Sequence, residues 1–155
     1  MIRLEKENIR IMARNREAYH EYFVEEEAEA GIALCGTEVK SIRQGNLSLK
    51  DAWCGIKDGQ LLLNQMHIAP YEQGNIFNKD SKRVRTLLMH RREIMRLYGK
   101  VKQDGYALIP LSVYFKGSHV KVKVGLCKGK KLYDKRQVAA ERDAKRQIDR
   151  AMKER

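Results

Sequence analysis

The sequence has no phosphate-gripping loop, no G-x-S-x-G turn and no C-x-x-C pair, and it holds only two prolines and 7% aromatic residues. Lys128-Gly129-Lys130-Lys131 has a single glycine and no following Ser or Thr, so it is not a Walker motif and gives no reason to expect nucleotide chemistry. The three cysteines, Cys35, Cys54 and Cys127, are odd in number and widely spaced, and the four histidines do not complete a zinc-ligand spacing. That excludes a disulfide framework and leaves small buried thiols in a reducing compartment as the expectation. No stretch approaches the roughly twenty apolar residues of a membrane span. Charged residues at Arg3, Glu5, Lys6 and Glu7 interrupt any signal-like apolar run. A cytoplasmic protein without a membrane partner is expected. No histidine has an identifiable acid–base partner, and Glu25-Glu26-Glu27 reads as a solvated acidic turn because consecutive strand residues would alternate faces. No catalytic site, metal or cofactor is expected.

What the chain does have is positive charge. Its formal net charge is +12, with a pI near 9.7. This points to nucleic acid ahead of an anionic membrane as the partner. The charge is concentrated: Lys128–Arg155 carries eleven Lys/Arg against five Asp/Glu, so half of the net charge sits in 28 of the 155 residues. Gln137–Arg155 has no Gly, Pro or aromatic residue and favours helix, but has too little apolar surface for a core of its own.

Three regions are expected. Residues 1–14 read as a flexible basic arm, 15–132 as an RNA-binding barrel with helices, and 133–155 as a basic tail that is disordered or helical on binding. Within the barrel, His20–Leu34 reads as a strand pair or one long strand bent at Ala30-Gly31. A short helix follows, capped by Thr37 and bracketed by Gly36 and Gly45, with Val39 and Ile42 facing the core. Asp58-Gly59 is the strongest hairpin signal and joins Leu49–Lys57 to Gln60–Ile68. Trp53 and Ile56 are expected to cover the barrel interior or its mouth. From Asp80 the apolar spacing turns helical through Val84, Leu87, Leu88, Ile94, Met95, Tyr98 and Val101, as one helix or as two broken at His90-Arg91-Arg92, with Asp80 or Ser81 as N-cap and Gly105 past the end. Lys82, Arg83, Arg85, Arg92 and Arg96 would cover the opposite surface. Tyr106–Lys116 and His119–Cys127 form a last hairpin turning at Gly117-Ser118. The sum is a mainly β fold: an OB-like antiparallel barrel of about six strands, peripheral helices and a basic C-terminal tail.

Candidate binding residues follow from this layout. Lys121 and Lys123 alternate with Val120, Val122 and Val124, so both lysines point away from the core. They either track phosphates or guard an edge strand. Lys128, Lys130 and Lys131 extend the basic surface. Tyr133 lies among cations, where its ring either stacks on a base or packs back onto the barrel. The tail either orders against a polyanion or acts as a solubilising extension. A constitutive ribosomal structural protein is a second reading compatible with the charge.

Three separated motifs narrow the choice: Gly36-Thr37-Glu38-Val39-Lys40-Ser41, Pro70-Tyr71-Glu72-Gln73-Gly74-Asn75, and Gly125-Leu126-Cys127-Lys128-Gly129-Lys130-Lys131-Leu132-Tyr133-Asp134-Lys135-Arg136. In this order and spacing, from about Asn15 to Arg150, the chain resembles the SsrA-binding protein family (SmpB). The resemblance implies an OB-like barrel that binds the tRNA-like domain of transfer-messenger RNA and enters stalled bacterial ribosomes. It implies contacts with small-subunit RNA and a tail that follows the vacant mRNA channel. It also implies trans-translation without catalysis, and a monomer when bound to RNA. Carried over by position, Asn15, Glu29, Leu88 and Lys121 are the implied RNA-binding set. Gly129, Tyr133, Asp134, Lys135 and Arg136 are the implied decoding-centre segment. Many members have His where Tyr133 stands, which leaves room for stacking but not for a role that needs an imidazole.

Overall fold

Asp58 and Gly59 both take positive φ, 53° and 75°. This is the pair of left-handed residues that a two-residue type I′ hairpin turn requires. They join β4 (Trp53–Lys57) to β5 (Gln60–Asn64), strands shorter than their hydrophobic runs suggest. The flanking residues go elsewhere: β3 (Leu47–Ser48) and β6 (His67–Ile68) pair with each other in a separate two-stranded sheet. The structure is a computed structural model that describes residues 8–71, 80–130 and 146–148.

The remaining strands are β1 (Ile9–Arg14), β2 (Tyr22–Ile32), β7 (Arg85–Leu88), β8 (Ala107–Lys116) and β9 (His119–Gly129). Six strands close a ring in the order β8-β4-β5-β7-β2-β9 and back to β8, all antiparallel. Closure leaves the ring no free edge, which is the physical advantage of a barrel over an open sheet. The fold is thus the OB-like barrel expected. Its interior is filled by Ala30, Leu61, Leu63, Leu87, Val113, Val122, Val124 and Leu126, each at most 2% exposed. The helices are α1 (Arg16–Glu21), α2 (Gly36–Arg43) and α3 (Arg91–Asp104). Ile42 of α2 and Ile94 and Leu97 of α3 pack into the same core. Gly105 ends α3 in the left-handed conformation, φ 68°.

Several expectations need correction. The arm over 1–14 is a strand over Ile9–Arg14, paired with β8 from Ile9↔Lys116 to Arg14↔Ser112. Its scattered charges hid a backbone ladder. The helical spacing from Asp80 spans two elements, β7 and α3, with His90 as the N-cap in place of Asp80 or Ser81. The N-cap of α2 is Cys35, not Thr37: Glu38 Oε1 accepts from the Cys35 backbone N–H and from its thiol, each at 3.1 Å. Trp53 does not cover the interior. It is 49% exposed, and its ring lies across Gly55 on the outer side of β4, where a Cβ would come within 2.9 Å of it. Glu25-Glu26-Glu27 belongs to β2, not to a turn.

Arg85 is the largest departure, a fully buried guanidinium in place of a surface cation. Its Nε donates to Glu38 Oε2 at 2.6 Å, Nη1 to the Met66 carbonyl at 2.7 Å, and Nη2 to the Ser81 carbonyl at 3.1 Å. Arg83 adds a second ion pair to Glu38. Burial alone would raise the Glu38 carboxyl. Hydrogen bonds from Arg83, from the Cys35 amide and thiol and from Arg85 outweigh it, bringing the pKa down to about 2. Burial pushes the Cys54 and Cys127 thiols up, Cys127 to about 11, which suppresses thiolate chemistry at both.

Candidate nucleic-acid interface

Strand register brings four of the expected residues, Glu29, Leu88, Lys121 and Lys123, onto one face. Leu88 on β7 lies opposite Gly31 on β2, Gly31 opposite Lys121 on β9, and Lys121 opposite Tyr114 on β8. Residues paired this way share a face, and their sequence neighbours occupy the other. Those neighbours, Leu87, Ala30, Val122 and Val113, are all buried in the barrel. The row from Leu88 to Tyr114 therefore faces out. Leu88 is 57% exposed. A Cβ at Gly31 would sit 3.3 Å from the Cβ of Leu88, so the glycine makes room for that side chain. The adjacent row runs Glu29, Lys123, Ser112. Further along the same strands the outer side is covered by α1, whose Ala18 packs on Ile109, Leu111 and Cys127.

Glu29 is held from two sides. The Tyr114 hydroxyl donates to its Oε2, and the Lys116 ammonium donates to its Oε1 at 3.3 Å. The Tyr114 hydrogen bond is the main reason its carboxyl lies below the ordinary range. Lys116 and Lys121 add to it against a partial burial that acts the other way. Burial, followed by the hydrogen bond to Glu29 and then by its charge, pushes the Tyr114 phenol well above its usual range. Lys123 Nζ lies 3.5 Å from Glu27. Among the described residues Lys121 makes no ion pair, which leaves its ammonium for an outside anion.

The other expected residues lie elsewhere. Asn15 is 8% exposed and caps α1. Its side-chain amide donates to the Pro110 carbonyl at 3.0 Å, and its Oδ1 accepts from the Ala18 N–H at 3.2 Å. Its side chain thus fastens α1 to β8 and does not share the face of Lys121. Lys128 sits over the Tyr106 ring at 5.1 Å. Lys130 sits over the Phe23 ring at 5.1 Å and donates to the Tyr19 carbonyl at 3.0 Å. Both ammonium groups therefore rest on the chain's own aromatics where the barrel ends. Gly129 pairs with Tyr22 at the last rung of β9. Lys131, Tyr133, Asp134, Lys135 and Arg136 lie outside the described residues.

Sequence reasoning missed Tyr114, the residue that fixes Glu29. Its alternation with Val113 and Phe115 marks it as outward, but only the β8–β9–β2 register shows what it meets. The acidic run of β2 was likewise legible only with its partners: Glu26 pairs with Arg96 and lies 3.8 Å from Lys100, and Glu25 accepts from the Tyr106 hydroxyl at 2.5 Å. Among the described residues there is no metal-ligating cluster, and no helix is long and apolar enough to cross a membrane.

Comparison with known proteins identifies the family. The pattern of the SmpB protein family matches residues 12–154. The SsrA-binding protein of Acetivibrio thermocellus is 58% identical over 149 residues, covering 96% of this chain and 97% of that protein. The SsrA-binding protein of Carboxydothermus hydrogenoformans is 57% identical, covering 94% of this chain and 98% of that one. A solved chain from a tmRNA–SmpB structure at the center of the bacterial ribosome is similar in fold. Its TM-score is 0.64 at 47% identity, over 76% of this chain and 82% of that one.

Proposed function

The chain belongs to the SmpB protein family, and from that premise we propose that it is the adaptor that binds the tRNA-like domain of transfer-messenger RNA and brings it to stalled ribosomes for trans-translation. It works in the cytoplasm and has no chemical step of its own. The observation that carries this reading is the outward row of Leu88, Gly31 and Lys121 beside the row of Glu29 and Lys123. Such a face suits a folded RNA read by its shape, its backbone and its 2′-hydroxyls.

The roles divide by chemistry. Lys121 contacts a phosphate, with Lys123 as a second cation partly neutralised by Glu27. Leu88 shapes the surface. Glu29 accepts from a neutral donor on the RNA, because a carboxylate is repelled by phosphate. Asn15 supports the RNA-binding surface from below by holding α1 to β8. Lys128, Lys130 and Lys131 extend the basic surface toward the tail. Gly129, Tyr133, Asp134, Lys135 and Arg136 serve the decoding centre on the small-subunit RNA, and the tail enters the mRNA channel.

The test is competition binding at near-physiological salt. Labelled tRNA-like domain is challenged with excess bulk tRNA and with a plain RNA duplex at equal phosphate. The complex is expected to survive both. Loss to either competitor would mean that the +12 charge acts as nonspecific glue. Deleting residues 134–155 is expected to spare RNA binding and abolish peptide tagging.

A further inference from the structure

We propose that Ile9 and Ile11 of β1, with Ser112 and Tyr114 of β8, Glu29 of β2 and Lys123 of β9, form a pocket that takes a single unstacked guanine from the bound RNA. The inference rests on the RNA reading above and specifies what that face recognises. Its apolar wall lies at the very edge of the family resemblance, since the matched region begins at residue 12.

The first observation is the wall itself. Ile9 and Ile11 are 55% and 44% exposed, on a strand whose register sets Ile11 opposite Tyr114 and Ile9 opposite Lys116. Two β-branched residues on one outward face leave an apolar surface uncovered. Beside them the structure has an open groove of about 320 Å³ lined by the two isoleucines with Glu27, Ala28, Glu29, Ser112, Tyr114 and Lys123, the Glu27 charge being paired with Lys123. That is the lower end of the ~300–1,000 Å³ of small-molecule sites, room for one planar group and not for a helix. Lys123 lines the groove and Lys121 stands opposite Tyr114 at its side, so a backbone tracked by those lysines would pass its mouth.

The second observation is the carboxylate at the rim. Tyr114 and Lys116 each occupy one acceptor position of Glu29, one per oxygen. Each oxygen keeps a further lone pair, so one acceptor position remains on each. Phosphate is excluded by charge. Among the bases, the edge that presents two adjacent N–H donors is that of guanine, through N1–H and N2–H₂. A bidentate pair of this kind is charge-assisted and geometrically selective. The isoleucines cover the face of the ring while Glu29 reads its edge, which a paired or stacked guanine cannot offer.

The experiment is chemical probing with kethoxal, which reacts at N1 and N2 of unpaired guanine, on the tRNA-like domain saturated with the full chain. One unpaired guanine is expected to become protected. Glu29→Gln and the double variant Ile9→Ala/Ile11→Ala are expected to lose that protection at saturating protein, while Lys57→Ala, on the β4–β5 hairpin, keeps it. The double variant is also expected to weaken binding about tenfold with an unchanged salt dependence, since it removes no phosphate contact. Both isoleucines are exposed, and an unchanged melting curve would show that the barrel is intact. A saturated complex in which every unpaired guanine reacts as in free RNA overturns the pocket and leaves the adaptor reading standing. So does protection that survives the double variant. Failure of the RNA to bind at all overturns the adaptor reading, and the pocket with it.

Discussion

Glu38 and Glu29 are both carboxylates held below their ordinary pKa by hydrogen bonds, yet they do opposite jobs. Glu38 is 5% exposed and is surrounded by Arg83, Arg85 and the Cys35 amide and thiol. Its acceptor capacity is filled from within, and it ties α2 to β7. Glu29 lies on the open face with one internal donor on each oxygen. A cluster that is complete stabilises the fold. A cluster left half-filled, in a fixed orientation, keeps acceptor positions for a donor from outside. The two are told apart by counting lone pairs, not by the size or sign of a pKa shift.

The sharpest way to break this contrast is at Glu38. Glu38→Ala strands the fully buried Arg85 without a counter-charge, and a loss of about 3–5 kcal/mol in urea unfolding is expected. Glu29→Ala, at an exposed site, removes one partner of the Tyr114 hydroxyl and is expected to cost only about 1 kcal/mol. Acid provides the next test. The Glu38 carboxyl is lowered from 4.5 to about 2 in the folded state. Its contribution is therefore present above pH 4.5 and is lost as pH falls toward 2. A loss of roughly 3 kcal/mol across that window is expected from stability measured against pH. Glu38→Gln should flatten that part of the curve.

The open face should answer to salt where the buried cluster answers to acid. Lys121→Ala is expected to lower RNA affinity and to reduce the slope of log affinity against log salt by about one phosphate contact, with no change in melting temperature. Glu29→Gln should lower affinity with the slope unchanged. The smallest expected effect on RNA binding is at Tyr114→Phe. Removing the hydroxyl leaves the ring in place and takes away the main cause of the low Glu29 pKa. A stability change of about 1 kcal/mol is expected. Loss of RNA affinity on acidification should then begin at a higher pH than in the parent chain.

Turn chemistry and strict alternation were the legible parts of the sequence. Asp58-Gly59, Gly117-Ser118 and the Val–Lys alternation of β9 are local signals, and the hairpins stand where those residues put them. The β7–α3 segment misled because Val84, Leu87 and Leu88 continue the helical spacing of α3, although Val84 is exposed and only Leu87 faces the core. Nothing local marks Arg85 as buried, since its partner Glu38 lies 47 positions away. Strand β1 was missed for a similar reason: Ile9 and Ile11 face outward, so its apolar residues do not announce a core. At the candidate site, Lys121, Lys123 and Leu88 were found from alternation and resemblance. Tyr114, Ile9 and Ile11 needed the register of five strands.

Strand β9 is flanked on both sides along nearly its whole length, by β2 from Tyr22↔Gly129 to Gly31↔Lys121 and by β8 from Ala107↔Cys127 to Lys116↔His119. Lys121 and Gly129 stand on it eight residues apart, about 26 Å at the usual rise per strand residue. A strand clamped in this way is a ruler. The end of β9 at Gly129 is set at a fixed distance and bearing from Lys121, so a partner held at one would be placed relative to the other.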